Sequence, residues 1–281
     1  MSKTSDTRRS TDELLNETAP SPVAAAAPTD LLHSAADPVL TEDFALSLLK
    51  RTDLHPEVIE QLARNASALK SRKVKVALAS HPHTPRHVSV PLARQFYTFD
   101  LMKVALAPGV PADVKVAVDD ILIARLKAVT IGERLTLARR ASGRVAAALL
   151  LDSENTGAAI ADSKPAHAKL ARAKTADAKP TPRRTRILPI ALDNPRLTEA
   201  LVINSVLSPA AGAALVEAVA RHAKWSPRKE IRTALLRTEH LSLALALEFS
   251  REIPAVPLQE VLASSRLPEK IKDQLIREKL A

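Results

Sequence analysis

The chain has 281 residues, 46% of them hydrophobic but only 2% aromatic, and its 41 Lys and Arg against 31 Asp and Glu give a net charge of +10. It contains no cysteine, which excludes a disulfide framework and any thiolate site and is typical of a reducing compartment. The N-terminal residues lack the apolar core of a signal peptide, and no apolar run reaches the roughly eighteen residues of a membrane span, so we expect a cytoplasmic protein.

Composition predicts four segments. Residues 1–40 are rich in Ser, Thr, Asp, Ala and Pro and predict a disordered tail with a brief helical turn near Leu31 and Leu32. Residues 41–155 and 187–281 carry helical apolar periodicity and predict an N-terminal and a C-terminal helical repeat lobe. Between them, residues 156–186 are rich in Ala, Lys and Pro without a lasting apolar period, which is typical of a basic flexible linker. Within it, residues 161–186 hold eight Lys and Arg against two Asp and Glu.

Capping residues and prolines mark the predicted helix starts. Thr41 precedes an amphipathic stretch as an N-cap, and Thr130 with Glu133 has the T-x-x-E spacing of a capping box. Proline suits the first position of a helix, where no N–H has to be satisfied. Further helix openings are therefore predicted at His55-Pro56, Thr84-Pro85, Ser208-Pro209 and Ser226-Pro227.

One stretch of the chain occurs twice. Shifting residues 74–123 by 157 positions, without a gap, places them on residues 231–280. Leu92 and Phe249 correspond, and we predict that they are equivalent core positions. Each is the middle member of an apolar series spaced four apart, which predicts one buried helix face: Val88, Leu92 and Phe96 in the first copy, and Leu245, Phe249 and Ile253 in the second.

The identical pairs keep helical spacing and bring a turn proline into correspondence: Ala77 with Ala234, Leu78 with Leu235, His83 with His240, Arg94 with Arg251, Leu101 with Leu258, Val104 with Val261, Pro111 with Pro268 and Lys115 with Lys272. A short helix is marginal alone and must bury its apolar stripe against neighbouring helices. The segment 187–201 resembles 74–88 with one residue deleted, which indicates further copies.

Short paired helices, prolines at helix starts and stripes of Ala, Leu and Val resemble HEAT or armadillo repeats and the related leucine-rich repeat variant. The likeness covers roughly residues 41–155 and 187–281. It implies an all-α fold, an α-solenoid of short paired helices in two lobes, whose usual role is to bind other proteins. The iron–sulfur module of the variant family uses cysteines, which this chain lacks, so no cofactor is expected.

Three histidines, His81, His83 and His87, form the densest titratable cluster, in the sequence HPHTPRH. Two or three imidazoles could hold zinc. The second copy keeps only His83, as His240, so we interpret the cluster as part of a turn and cap and expect no metal.

Arginines at a break between helices, Arg139, Arg140 and Arg144, could bind a phosphate or an acidic partner, or could complement a helix C-terminus. Trp225, the only tryptophan, is more typical of a core residue with a satisfied N–H than of a partner anchor.

The other candidate binding residues are basic. Four recur between the two copies and lie either on a binding ridge or on a solvated face: Arg94, Lys115, Arg251 and Lys272. Three belong to the predicted linker: Arg183, Arg184 and Arg186.

The sequence holds no G-x-S-x-G, H-E-x-x-H, P-loop or G-x-G-x-x-G signature, so we expect a non-enzymatic interaction or scaffold protein that binds another protein. A second hypothesis is nucleic-acid binding through the basic linker or a groove. Binding by the linker would depend steeply on salt, because its contacts would be to phosphates. A third, weaker hypothesis is regulation by phosphorylation of Ser10 or Ser142, both preceded by arginines.

Overall fold

The computed structural model describes residues 28–162 and 187–280. These residues form sixteen α-helices and one 3₁₀ turn, with no strand among them, so the predicted all-α class is confirmed. The helices are α1 (Pro28–Ala36), α2 (Glu42–Leu49), α3 (Pro56–Arg64), α4 (Arg72–Ala79), α5 (Arg86–Ala93), α6 (Thr98–Leu106), α7 (Ala112–Arg125), α8 (Ile131–Arg140), α9 (Gly143–Asp162), α10 (Ile187–Leu192), α11 (Glu199–Leu207), α12 (Ala213–Ala220), α13 (Lys229–Leu236), α14 (Leu243–Arg251), α15 (Ala255–Ala263) and α16 (Glu269–Leu280).

The chain divides into two compact units, one ending at Pro85 and the other beginning at Arg86. In the first unit, α1 packs on α3 and α2 on α4. In the second, helices pack on the next helix and on the next but one, as α5 does on α7, α9 on α11, and α14 on α16. Helix α9 packs against α10, α11 and α12, so helices taken from both predicted lobes lie together in the second unit.

The helices of the two similar stretches begin at corresponding positions. Helices α13, α14, α15 and α16 each begin 157 residues after α4, α5, α6 and α7, the offset predicted from the sequence. The burial pattern follows the same offset: Leu92 and Phe249 are 8% and 0% exposed, as expected of equivalent core positions.

The third member of each predicted apolar series lies outside its helix. Phe96 and Ile253 are buried, but α5 ends at Ala93 and α14 at Arg251. The backbone N–H of Phe96 donates to the carbonyl of Ala93 in a tight turn. A turn, rather than a third helical turn, therefore carries this apolar side chain into the core.

Several predicted helix starts agree with the structure. The Thr41 side chain accepts from the N–H of Phe44, and Pro56 is the first residue of α3. At α8 both halves of the capping box form: the Thr130 hydroxyl accepts from the N–H of Glu133, whose carboxylate accepts from the N–H of Thr130 at 2.9 Å.

Three predicted starts need correction. The Thr84 hydroxyl donates to the Leu78 carbonyl at 2.6 Å, so it closes the preceding helix instead of capping α5, which begins at Arg86. Ser208 is the C-cap of α11, and α12 begins only after Gly212. Ser226-Pro227 lies in the turn before the Arg228 cap of α13. A proline pair marks a helix boundary without saying on which side the helix lies.

Helices extend further into the predicted tail and the predicted linker than the sequence indicated. Helix α1 lies inside the predicted tail and buries Leu31 and Ala35 where it packs on α3. Helix α9 continues to Asp162, beyond the predicted start of the linker at residue 156, because its Ala-rich sequence favours helix. Residues 1–27 of the tail and 163–186 of the linker lie outside the described residues.

Five polar side chains connect turns that lie two helices apart in the chain, and we name them tether residues: Asn65, His81, Asn194, His222 and Ser265. Each accepts a hydrogen bond from the backbone N–H two residues later. Each also bonds to an earlier part of the chain: Asn65 to the carbonyls of Ala35 and Asp37, His81 to that of Arg51, Asn194 to those of Ala138 and Ala141, Ser265 to that of Leu236, and His222 to the Asp193 carboxylate. These bonds satisfy groups at helix ends that would otherwise lack partners.

We expect the tether residue His81 to make the first unit less stable in acid. Its Nε2 lies 2.7 Å from the Arg51 carbonyl and must donate, while its Nδ1 accepts from the N–H of His83, so the bonded ring is neutral. Burial lowers the pKa of His81, the nearby His83 lowers it further, and the bond to Arg51 partly opposes this. Because the unfolded ring binds a proton more readily than the folded one, this contribution to stability is present above about pH 6.5 and is lost as the pH falls.

Replacing His81 with Asn is expected to remove that pH dependence. Asn65 makes the same pair of bonds with an amide, so the substitution supplies a donor and an acceptor that do not titrate. Thermal unfolding followed by circular dichroism between about pH 5 and pH 7.5 should show a smaller loss of stability in the variant. His81→Ala is the control and should be less stable throughout. An acid sensitivity of the Asn variant equal to that of the wild type would contradict the assignment.

Candidate interaction surface

Three turns of the second unit lie side by side: those joining α8 to α9, α10 to α11, and α12 to α13. Asn194 in the middle turn donates to the carbonyl of Ala138 at 2.8 Å. In the third turn, His222 Nε2 lies 3.2 Å from the Asp193 carboxylate, and the Trp225 indole N–H donates to the Leu192 carbonyl at 2.9 Å. Tether residues thus hold the three turns in a row.

The first two turns fit closely at Gly143. A Cβ added at Gly143 would lie 2.2 Å from the backbone oxygen of Arg196, so no other residue fits there without movement of the backbone. The Arg196 guanidinium also donates to the Arg140 carbonyl at 3.3 Å. The arginines of these turns are therefore placed by backbone contacts.

The row of turns is strongly basic. We define the basic edge as residues 139–144, 193–199 and 221–230, which hold eight Lys and Arg against three Asp and Glu. Its cations are Arg139, Arg140, Arg144, Arg196, Arg221, Lys224, Arg228 and Lys229. These short segments contribute a net charge of +5, half that of the whole chain.

Three of the eight cations are paired with carboxylates. Arg144 bonds to Asp120 at 2.8 Å, Arg221 to Glu217 at 2.9 Å, and Arg228 to Glu199. The other five are Arg139, Arg140, Arg196, Lys224 and Lys229, and no carboxylate within the described part of the chain forms an ion pair with them. All five residues are exposed, so their charge faces solvent.

Trp225 is buried beneath the third turn. Its side chain is 1% exposed, which makes it a core residue with a satisfied N–H and leaves no surface to anchor a partner. The Lys224 ammonium lies 4.2 Å and the Arg228 guanidinium 5.0 Å from the ring centre, within the range of cation–π attraction. The tryptophan thereby positions two cations of the basic edge.

The two candidate clusters that the sequence placed far apart belong to one surface. Arg139, Arg140 and Arg144 lie in the first turn of the row and Trp225 in the third. Sequence reasoning did not find Arg196, Arg221, Lys224, Arg228 or Lys229. The correspondence of Asn194-Pro195 with His81-Pro82 was visible in the sequence and indicated that the two turns are equivalent. It did not indicate which turns lie next to each other.

The four basic residues that recur between the two copies lie outside this row, and three of them contact groups near them. The Lys115 ammonium donates to the Pro108 carbonyl, and Lys272 pairs with Glu269 at 2.9 Å. Arg251 lies 3.7 Å from Glu278, and Arg94 is exposed. These observations do not test whether the four form a ridge. The linker residues Arg183, Arg184 and Arg186 lie outside the described residues.

Two histidines of the cluster, His81 and His83, bond to backbone carbonyls. The His81 ring bonds to the Arg51 carbonyl, and the His83 ring nitrogen Nδ1 lies 3.0 Å from the Leu54 carbonyl. Among the described residues, no group of three or more His, Cys, Asp or Glu side chains is arranged to hold a metal ion.

Beside the first turn, α7 carries a buried carboxylate. Asp119 is 4% exposed, and its Oδ1 has no hydrogen-bond partner within residues 28–162 and 187–280. Burial raises the pKa of Asp119, while a hydrogen bond from Ser142 and the charge of Arg144 lower it. The Ser142 hydroxyl also accepts from the N–H of Val145 at the start of α9. This carboxylate is a local source of instability within the packed turn.

Replacing Asp119 with Asn is expected to stabilise the protein by about 1 kcal/mol at neutral pH, because a buried charge is removed. The folded-state pKa lies above the unfolded one, so the aspartate's favourable contribution is present at low pH and lost as the pH rises through the folded pKa. Urea unfolding should show a higher free energy of unfolding for the variant than for the wild type near pH 7, and little difference near pH 3. Asp120→Asn, which breaks an exposed ion pair, is the matched control and should bring no gain. Equal gains at both pH values would contradict this account.

Comparison with family models, with curated proteins and with solved structures finds no match for the chain. Within the described residues, none of the helices combines the length and hydropathy needed to cross a membrane.

Proposed function

We propose that this chain is a non-enzymatic interaction protein, built as an α-solenoid of HEAT-like helix pairs that binds another protein through its exposed turns. The observation that carries the proposal is the recurrence of tethered turns along the chain. Hydrogen bonds between residues about thirty positions apart, such as Asn65 with Ala35 and Ser265 with Leu236, join turns two helices apart, as expected where helix pairs stack on their neighbours.

The packing of alternate helices supports the same reading. Helices two positions apart pack together repeatedly in the second unit, and the two stretches related by 157 positions share their helix starts. A stack of this kind presents successive turns along an edge, where exposed side chains vary without disturbing the buried stripes. Such edges suit the recognition of an extended partner.

The polar groups that could do chemistry have structural partners. His81 and His83 bond to backbone carbonyls, and Asp119 of α7 accepts from Ser142 with one of its two carboxylate oxygens. This favours a binding role over catalysis.

Nucleic-acid binding is the second candidate function. The observation in its favour is the basic edge, whose five exposed cations have no ion-pair partner in the described part of the chain, and to which the sequence of the predicted linker adds further Lys and Arg. Contacts of this kind would neutralise phosphates and would weaken steeply with salt.

The test is affinity capture with the tagged full chain from lysate, with and without nuclease, followed by reconstitution with the purified partner. We expect a discrete protein that survives nuclease treatment and binds saturably when purified. Capture that disappears on nuclease treatment would favour the nucleic-acid alternative. Absence of any saturable protein partner would contradict the proposed function.

A further inference from the structure

We infer that the basic edge, residues 139–144, 193–199 and 221–230, is the docking surface for an acidic peptide segment of the partner protein. This inference rests on the proposed function and deepens it, since it assigns both the surface and the chemistry of the partner.

Charge complementarity is the first argument. Five exposed cations that form no ion pair with a carboxylate of the described residues lie on three adjoining turns: Arg139, Arg140, Arg196, Lys224 and Lys229. Arginine presents a planar fork of donors that matches a carboxylate with two parallel hydrogen bonds. An extended peptide with several Asp or Glu side chains can pair with these cations in turn.

Pre-organisation is the second argument. Gly143 packs under the Arg196 backbone, the Arg196 guanidinium bonds to the Arg140 carbonyl, and the buried Trp225 ring lies beneath Lys224. Because side-chain hydrogen bonds to backbone carbonyls fix the turns, these turns lose little conformational entropy when a partner binds.

The edge also carries features that disfavour a nucleic acid. The Asp193 carboxylate lies in the middle turn and is 73% exposed. A duplex presents a phosphate about every 1.7 Å along its axis, so it would place a negative charge opposite Asp193. A peptide can place an uncharged residue there instead. The tryptophan that could stack on a base is buried, so a single strand would find no aromatic platform at this turn.

The experiment measures binding of a fluorescein-labelled oligoglutamate peptide to the full chain by anisotropy, with a labelled single strand and a labelled duplex in parallel. The edge variant carries Arg139→Glu, Arg140→Glu and Lys229→Glu. The matched control carries Lys127→Glu, Lys270→Glu and Arg277→Glu, three exposed cations elsewhere in the second unit. A third variant reverses Arg183, Arg184 and Arg186 in the predicted linker. Circular dichroism melts establish that each variant is folded.

We expect the edge variant to bind the peptide about tenfold more weakly, and the matched control and linker variants to change affinity by less than about twofold. Peptide binding that survives the edge reversal, or that is lost only in the linker variant, would overturn the inference. So would tighter, edge-dependent binding of either nucleic acid than of the peptide.

The proposed function is tested separately by repeating the capture experiment with the edge variant. If the edge variant still captures the nuclease-resistant protein partner, the proposed function stands and the inference falls. If no variant, nor the wild type, captures a protein, the proposed function itself has failed. If the edge variant is the only variant that loses the partner, the proposed function and the inference are both supported.

Discussion

Replacing Phe249 with alanine is expected to lower the free energy of unfolding by about 3–5 kcal/mol. The ring is fully buried in α14, and truncation leaves a cavity that the helices packed on it fill only in part. It also removes the contact with the Arg232 guanidinium, which lies 5.3 Å from the ring centre. Chemical denaturation followed by circular dichroism measures the loss.

The corresponding residue of the first copy provides the comparison. Leu92→Ala is expected to cost about 2–4 kcal/mol, since Leu92 is the smaller side chain and retains slight exposure. Val256→Ala is the surface control: Val256 is 69% exposed, so its truncation should change stability by less than about 0.5 kcal/mol. If Phe249→Ala behaved like Val256→Ala, the two stretches would not share a core face.

Local sequence signals predicted the fold at the level of single helices. Thr41, Pro56 and the Thr130–Glu133 capping box mark helix starts because cap chemistry involves residues within one turn of each other. The 157-position offset was visible because apolar residues recur at helical spacing in both copies.

Tertiary contacts explain what the sequence did not reveal. The composition around Leu31 predicted only a brief helical turn, and the longer helix α1 forms where Leu31 and Ala35 are buried against α3. Arg196 and Lys229 have no local motif, and they join the basic edge only because Asn194 and Trp225 bond to carbonyls on neighbouring turns. Such bonds connect residues up to 56 positions apart, which no local pattern encodes.

Replacing Asn194 with alanine is expected to cost about 2–4 kcal/mol, although the residue is small and polar. Asn194 is 1% exposed; its amide donates to the carbonyls of Ala138 and Ala141, and its Oδ1 accepts from the N–H of Arg196. Alanine would leave these backbone groups buried without partners, and each such group costs about 1–3 kcal/mol. Asn194→Asp sharpens the test, because it keeps the acceptor for Arg196 but turns a carboxylate toward two carbonyl oxygens, and should be at least as damaging as alanine. Urea unfolding of both variants against the wild type measures the effect. If alanine proved neutral, the tether would be dispensable and the basic edge would need another explanation for its order.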